Sequence, residues 1–154
     1  SLPHSLYVFG NTFGIFEIEV RLPESSEVTT IQVSLMPGTY LVQYILLRSD
    51  LASRLGWPLG AIVAQGCHAS TAALHRFRDH VDTKAYLEDI EHMHKVVLAI
   101  EESELSLMAD KLTGAGVDFV AWREQPENIL TAFALRPYTK KDVQSYFKGM
   151  RLLS

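Results

Sequence analysis

The segment AIVAQGCHASTAALHRFRDH, residues 61–80, places an amide and an imidazole three positions apart among small residues. Gln65 and His68 fall on one stripe of a helix, because residues three and four apart share a helical face. An imidazole gains or loses its proton near neutral pH, so His68 at a cleft could serve a hydrolytic reaction. The alternative, on spacing alone, is a core histidine hydrogen-bonded to a loop carbonyl.

Two other segments carry polar groups where predicted strands end. Arg48 and Asp50 in RSDL alternate with Leu47 and Ser49, so both charges point to one side and either bind a substrate phosphate or pair with each other. The segment WREQPENI, residues 122–129, concentrates polar side chains in one connection between strands. Loops of this kind often carry function, although polar loops are also the default.

Neither a metal site nor a bound cofactor is expected. The six histidines fit no ligand spacing, and one cysteine builds neither a zinc site nor an internal disulfide. A thiol inside small-residue packing is usually inert, and the chain has no glycine-rich phosphate loop. A single cysteine fits a reducing compartment, so a cytoplasmic location is predicted.

Composition and charge narrow the function classes. The 154 residues are enough for one core, and no apolar run approaches the length of a membrane span. The net charge is −4, of which residues 1–36 carry −3, from four glutamates against one arginine. The nearly neutral remainder lacks the broad positive field of nonspecific nucleic-acid binders, so DNA is not an expected partner. Lysines and arginines near residues 75–84 and 140–151 form either solvated helix faces or local basic patches.

The first 35 residues differ in pattern from the rest of the chain. IFEIEVRL and TIQVSL alternate apolar and polar residues, which predicts a hairpin with PESSEVT as its turn. We therefore expect an accessory N-terminal segment over residues 1–35, either folded or an extension, and a main domain over residues 36–154.

The main domain is predicted to be α/β. Four strands are expected, at YLVQYILLR, KVVLAI, VDFVAW and LTAFALR. Four helices are also expected: the first runs from about Leu59 to His80, the second begins after Asp82 as its N-cap, the third begins after Ser103 as its N-cap, and the fourth covers TKKDVQSYFKGMRLL. Strands linked through helices should be parallel and the closely spaced last pair antiparallel, which gives a mixed sheet. Ligands of such sheets bind at the strand ends, so RSDLASRLGWPLG and REQPENI are the predicted site loops. Apolar surface on YLVQYILL or the final helix could support a homodimer.

The order of these segments resembles a known family. LVQYILLRSDL, GAIVAQGCHASTAAL, HKVVLAIEESELSLMADKLTGAGVDFVAW and ENILTAFALRPY are similar to the archaeal and eukaryotic class of peptidyl-tRNA hydrolases, and within it to the peptidyl-tRNA hydrolase domain-containing subgroup. The resemblance covers about residues 40–153. It implies a mixed four-stranded sheet with helices on both faces in three layers. It also implies cleavage of the ester between a peptide and the acceptor end of tRNA during translation, without a metal.

The resemblance also implies roles for individual residues. His68 becomes the candidate base, with Glu124 orienting water and Asn128 or Thr131 binding the carbonyl; the implied substrate-binding residues are Arg48, Asp50, Gln65, Gln125 and Arg136. The family pattern has two lysines where this chain has Leu59 and Ala61, and Arg48 or Arg136 could replace those cations. The loss of positive charge leaves an alternative, a catalytically weak or inactive homologue that binds RNA or a protein.

Overall fold

The computed structural model describes residues 6–10, 15–21, 28–34 and 40–154. The chain folds as two compact units, Ser1–Tyr40 and Leu41–Ser154. The first unit contains strands β1 (Leu6–Gly10), β2 (Ile15–Arg21) and β3 (Val28–Ser34) in one antiparallel sheet of order β1-β2-β3. The sequence indicated the last two strands but not β1, and most of the predicted turn PESSEVT lies outside the described residues. That this unit is accessory stays a prediction.

The second unit is built on a mixed sheet. Its strands are β4 (Leu41–Arg48), β5 (His94–Ile100), β6 (Phe119–Glu124), β7 (Ile129–Leu135) and the two-residue β8 (Tyr138–Thr139). The order is β5-β4-β7-β6, with β8 paired to the start of β4. β4 and β5 are parallel, whereas β7 is antiparallel to both β4 and β6. The prediction of a mixed α/β sheet is confirmed.

The helices are shorter than the sequence suggested. They are α1 (Leu59–Arg76), α2 (Val81–Glu88), α3 (Leu105–Gly114) and α4 (Lys140–Val143). The prediction that α1 runs to His80 is wrong, because Phe77 leaves helical geometry and His80 starts the next helix. His80, not Asp82, is the N-cap of α2: its ring Nδ1 accepts a hydrogen bond from the Asp82 amide at 3.1 Å.

Two further helix predictions need correction. Ser103 is not an N-cap; it lies inside a 3₁₀ turn, Glu102–Glu104, that Glu101 and Glu104 stabilise by a reciprocal capping box. The long C-terminal helix is instead α4 followed by a 3₁₀ turn, Gln144–Phe147. The chain then turns at Gly149, whose φ of 86° suits glycine, and residues 151–153 return to the outer edge of β5.

Two apolar clusters give the domain three layers. On one face of the sheet, α3 and the C-terminal helical turns contribute Leu105, Leu112, Val143 and Phe147 to a core with alternate residues of β4. On the other face, Ala69 and Ala73 of α1 pack on Ile45, Leu47, Ala132 and Ala134. Small residues let α1 lie close to the sheet, as the sequence indicated. Of the two segments considered for a homodimer, residues 42–47 are buried within the domain, whereas the C-terminal segment buries Val143 and Phe147 and leaves Leu152 66% exposed.

Candidate functional site

A shallow, open pocket lies where the carboxyl ends of β4 and β6 meet the start of α1. It has a volume of about 280 Å³ and is lined by Trp57, Pro58, Ala61, Gln65, Glu124, Gln125 and Glu127. The first two residues belong to the loop after β4, and the last three to the end of β6 and its connection to β7. Both loops that the sequence singled out therefore contribute to one cavity.

Gln65 is a fixed polar group in the wall of this pocket. Only 2% of its surface is exposed. Its Nε2 donates to the Ala61 carbonyl at 3.2 Å, and its Oε1 accepts from the Thr131 hydroxyl at 2.8 Å. A carbonyl oxygen can only accept, so the contact with Ala61 fixes which end of the amide is nitrogen. One N–H of Nε2 then remains available as a donor.

A β-bulge brings Thr131 to Gln65. Trp122 is paired with Ala132 and Arg123 with Leu130, so Thr131 is the extra residue of β7. A bulge changes the direction of a side chain relative to regular alternation. The Thr131 hydroxyl is fully buried beneath α1 and does not line the pocket. Its contact is with Gln65, so its effect on a bound ligand would be indirect.

Glu124 is oriented by an indole that also contacts His68. Trp122 and Glu124 are two residues apart on β6, and Trp122 Nε1 donates to Glu124 Oε2 at 2.9 Å. The His68 ring stacks on Trp122 with centroids 4.8 Å apart. His68 is exposed rather than sealed in the core, but it is not among the residues that line the pocket. Its contact with the pocket runs through Trp122.

The connection between β6 and β7 holds the remaining loop candidates. Gln125 lines the pocket, and its Nε2 donates to Asn128 Oδ1 at 3.4 Å. Asn128 has a φ of 58°, in the left-handed region that asparagine tolerates, and its carbonyl accepts from Arg123 Nη1 at 2.7 Å. Asn128 itself lies outside the lining residues. The geometry thus gives it the position of a turn residue.

Arg48 and Asp50 form a buried ion pair, the second of the two arrangements considered from the sequence. Arg48 Nε and Nη2 contact the two Asp50 oxygens at 2.9 and 2.8 Å, and Nη1 donates to the Leu130 carbonyl at 3.2 Å. Both residues are 4% exposed. The hydrogen bond from Arg48 holds the pKa of Asp50 below its usual value, against the opposing effect of burial. The pair holds the end of β4 against β7.

Arg136 lies away from the pocket. It follows the carboxyl end of β7, which is antiparallel to β4, and so belongs to the opposite end of the sheet. Its guanidinium contacts Asp118 at 3.0 Å and Asp82 at 2.8 Å, and it lies over the Tyr138 ring, 3.6 Å from the centroid. The structure therefore brings Gln65, Glu124 and Gln125 together in one pocket. Thr131 contacts Gln65, and Arg48, paired with Asp50, binds the adjoining strand β7. Arg136 lies at the opposite end of the sheet.

Comparison with known proteins decides the family. The sequence model described as peptidyl-tRNA hydrolase PTH2 matches residues 41–153. The mouse protein named "Putative peptidyl-tRNA hydrolase PTRHD1" is 48% identical over 132 residues, which cover 84% of this chain and 94% of the mouse protein. The human protein of the same name is 53% identical over 114 residues, 73% of this chain and 81% of the human protein. The chain belongs to the PTH2 family.

For a PTH2 member, the start of α1 is notable for its lack of charge. Leu59 and Ala61 occupy the positions where lysines were expected from the family pattern. Leu59 is 75% exposed, and Ala61 lines the pocket. A lysine at residue 61 would therefore reach into the cavity, whereas the alanine leaves that wall apolar.

Sequence reasoning missed four residues of the site. Trp57, Pro58 and Glu127 line the pocket, and Trp122 orients Glu124. The loop compositions indicated the segments but not the individual side chains. The i,i+2 spacing of Trp122 and Glu124 was the available signal, because it places both on one face of a strand.

Metal-binding side chains do not cluster in the described part of the chain. There, no group of three or more histidine, cysteine, aspartate or glutamate side chains has an arrangement that could hold a metal ion. None of the helices in the described ranges combines the length and the apolar character of a membrane span.

Proposed function

We propose that this protein hydrolyses the ester that joins a peptide to the acceptor end of tRNA. The observation that carries the proposal is the convergence of Gln65 and Glu124, a donor and a base, on one open pocket at the strand ends. The family membership supports the substrate class, because the matched residues 41–153 include both.

Glu124 is assigned the role of general base. Trp122 occupies its Oε2, and within the described residues Oε1 has no hydrogen-bond partner, so this oxygen can accept a proton from water. The water oxygen bonds to the ester carbonyl carbon as the proton passes to Glu124. When the bond from that carbon to the ribose oxygen breaks, Glu124 returns the proton to the ribose oxygen. Atoms and charges balance without another reactant.

Gln65 is assigned the stabilisation of the oxyanion. Its free Nε2 hydrogen is directed by the contacts of the same amide with Ala61 and Thr131. A donor fixed in advance stabilises developing charge without reorganisation, and one such donor is typically worth about 10²–10³ in kcat. Thr131 is then a positioning residue rather than a carbonyl ligand.

His68, predicted as the base, is given a supporting role in this proposal. Its ring covers Trp122, and the Trp122 indole in turn holds Glu124. The buried pairs of Arg48 and Arg136 already engage their guanidinium nitrogens with protein oxygens. Neither arginine is therefore assigned as a substitute for the missing lysines.

The test is release of peptide from a dipeptidyl-tRNA by purified protein. We expect Glu124→Gln to lower kcat by roughly 10²-fold or more, because it keeps the shape and removes the base. The matched control is Glu88→Gln at the exposed end of α2, which makes the same charge change outside the pocket and should leave kcat unchanged. Thermal unfolding of both variants separates loss of chemistry from loss of fold.

The alternative function is a noncatalytic module that binds RNA or a protein. The uncharged Leu59 and Ala61 favour it, since they remove two cations that would stabilise charge on a tRNA substrate. If wild-type protein in excess over dipeptidyl-tRNA releases no peptide, the hydrolase proposal is wrong and the module remains.

A further inference from the structure

The outer edge of strand β6 has no main-chain partner in the described part of the chain. β6 (Phe119–Glu124) lies at one side of the sheet and pairs with β7 alone. The strand at the other side, β5, is instead hydrogen-bonded along its outer edge to residues 151–153. The sheet of the second unit therefore has one edge covered by the chain's own backbone and one edge open.

The pairing of β6 identifies the groups that face the open edge. Just before the strand begins, the Arg136 amide donates to the Asp118 carbonyl at 3.2 Å. Along an antiparallel pair, successive residues alternately direct their main-chain groups towards the partner strand and away from it. Val120, two residues after Asp118, therefore faces β7, whereas Phe119 and Ala121 direct their N–H and C=O groups outwards. No described residue hydrogen-bonds to those outward groups.

The open edge leads into the proposed site. β6 ends at Glu124, the assigned general base, and Gln125 after it also lines the pocket. An ester carbonyl held there by Gln65 belongs to the last residue of the peptide, so the preceding residues must leave through the open side of a cavity of about 280 Å³. The six residues of β6 extend for roughly 20 Å. That length can accompany several residues of an extended peptide.

We propose that the peptide of the substrate binds as an additional strand on the outer edge of β6, parallel to it, through main-chain hydrogen bonds to Phe119 and Ala121. The inference rests on the proposed function for its substrate class. The direction follows from the site, because the carboxyl end of the peptide lies at Glu124, which is also the carboxyl end of β6. Addition of a strand to an open sheet edge is a common mode of peptide recognition.

The side chains of β6 favour recognition through the main chain. Val120 and Trp122 pack on the apolar cluster beneath α1, and the Phe119 ring lies 5.4 Å from that of Phe133. These side chains are held by the sheet's own core, so β6 offers an added strand chiefly its backbone. Peptides attached to tRNA share a backbone and differ in side chains. We therefore expect selectivity for peptide length rather than for peptide sequence.

Binding of non-hydrolysable analogues tests the inference without requiring catalysis. The probes are 3′-amino-3′-deoxyadenosine carrying, in amide linkage, N-acetylated alanine chains of one and four residues, titrated calorimetrically. Each net hydrogen bond is typically worth about two- to tenfold in affinity, so the four-residue chain should bind roughly fivefold or more tightly. A four-residue serine chain should keep this advantage. Equal affinities of the short and long alanine chains, or no binding of either, would overturn the inference.

Backbone N-methylation of the long probe tests the geometry of the added strand on the wild-type protein. Successive residues of a strand direct their N–H groups to opposite sides, so only alternate residues of the peptide can donate to β6. Methylation of one of the two central residues should remove most of the advantage of the long probe, and methylation of its neighbour should preserve it. Equal losses from both methylations, or no loss from either, would contradict strand addition.

A variant of β6 tests the protein side of the same contact. Ala121→Pro removes an outward N–H without removing a donor to β7, and proline is tolerated in edge strands. It should reduce the advantage of the long probe by at least about threefold, whereas Ala121→Ser retains the N–H and should retain the advantage. Thermal unfolding checks the fold of both variants. If Ala121→Pro does not fold, the methylation pattern on wild-type protein still decides the question.

Hydrolysis of matched esters separates this inference from the proposed function. The value of kcat/KM should be higher for N-acetyl-tetraalanyl-tRNA than for N-acetyl-alanyl-tRNA, by a ratio similar to that of the analogues. If both esters are cleaved equally well, the hydrolase proposal stands and strand addition is wrong. If neither is cleaved while the analogues show the length and methylation effects, the hydrolase proposal is wrong and the recognition of the peptide remains. A dimer in sedimentation that Ala121→Pro disrupts would assign the edge to a second copy of the chain and overturn the inference.

Discussion

Replacing Thr131 by valine tests the arrangement of Gln65. Valine keeps the shape and removes the hydroxyl that donates to Gln65 Oε1 at 2.8 Å. Because Gln65 is 2% exposed, that oxygen would lose its partner without gaining water. A buried acceptor without a partner costs about 1–3 kcal/mol, which for a unit of this size lowers the melting temperature by roughly 4–12 °C.

The same change should reduce catalysis. Without the Thr131 anchor, the Gln65 amide keeps only its contact with the Ala61 carbonyl, so its free Nε2 hydrogen is directed less precisely at the developing oxyanion. We expect kcat for dipeptidyl-tRNA to fall roughly tenfold to a hundredfold. This fall is no larger than the fall in kcat expected when a whole oxyanion donor is removed. Single-turnover hydrolysis with protein in excess measures this step, with urea unfolding as the parallel measure of stability.

Thr131→Ser is the matched control. It retains the hydroxyl and removes only a buried methyl group, so it should cost about 1 kcal/mol in stability with kcat near that of wild type. If valine and serine give the same kcat, the hydroxyl does not position the amide. A wild-type kcat for Thr131→Val would contradict the role given to Gln65 even if the variant were destabilised.

Three other variants test neighbouring features. Asp50→Asn removes the buried carboxylate of Arg48 but leaves Glu102, half exposed, 3.3 Å from Arg48 Nη2, so it should cost about 2–3 kcal/mol in urea unfolding, less than the loss of a sole partner. Because the pKa of Asp50 is lowered in the fold, the stability that its ionised carboxylate contributes should be present above the unfolded pKa of about 3.9 and lost as pH falls below it, and pH-independent unfolding would contradict this. Trp122→Phe keeps a ring against His68 but removes the donor to Glu124, so kcat should drop several-fold with little change in melting temperature; an unchanged kcat would show that the indole does not orient the carboxylate. Ala61→Lys adds a cation to the pocket wall and should raise tRNA affinity about tenfold at low salt, an effect that must fade with added salt in a filter-binding assay if it is electrostatic.

The elements that position the site were predictable because their patterns are local. The apolar run of β4 indicated a strand covered on both faces, and the small residues of α1 indicated close packing on a sheet. The spacing of elements predicted the relative directions of β4 and β5 and of β6 and β7, but the order of the strands in the sheet was not predicted. The two loops of the pocket were nonetheless predictable as segments.

The side-chain geometry of the site depends on features that periodicity does not carry. LTAFAL reads as a regular strand, yet the bulge at Thr131 changes which face its hydroxyl occupies. His68 stacks on the Trp122 ring and Glu124 is hydrogen-bonded to it. Which of the two side chains lines the pocket therefore depends on tertiary packing around Trp122, which the sequence pattern does not show. Some helix ends were also predicted wrongly, because more than one side chain can cap the same helix. His80 rather than Asp82 is the N-cap of α2.

The return of residues 151–153 along β5 has a consequence for self-association. The Ala99 amide donates to the Arg151 carbonyl at 3.0 Å, and the Leu153 amide donates to the Val97 carbonyl at 3.1 Å. An outermost strand with free main-chain groups is a template on which another molecule can add a strand and begin to aggregate. Here the Ala99 amide and the Val97 carbonyl are already engaged by the protein's own backbone, so residues 151–153 leave fewer main-chain groups of β5 open to an added strand.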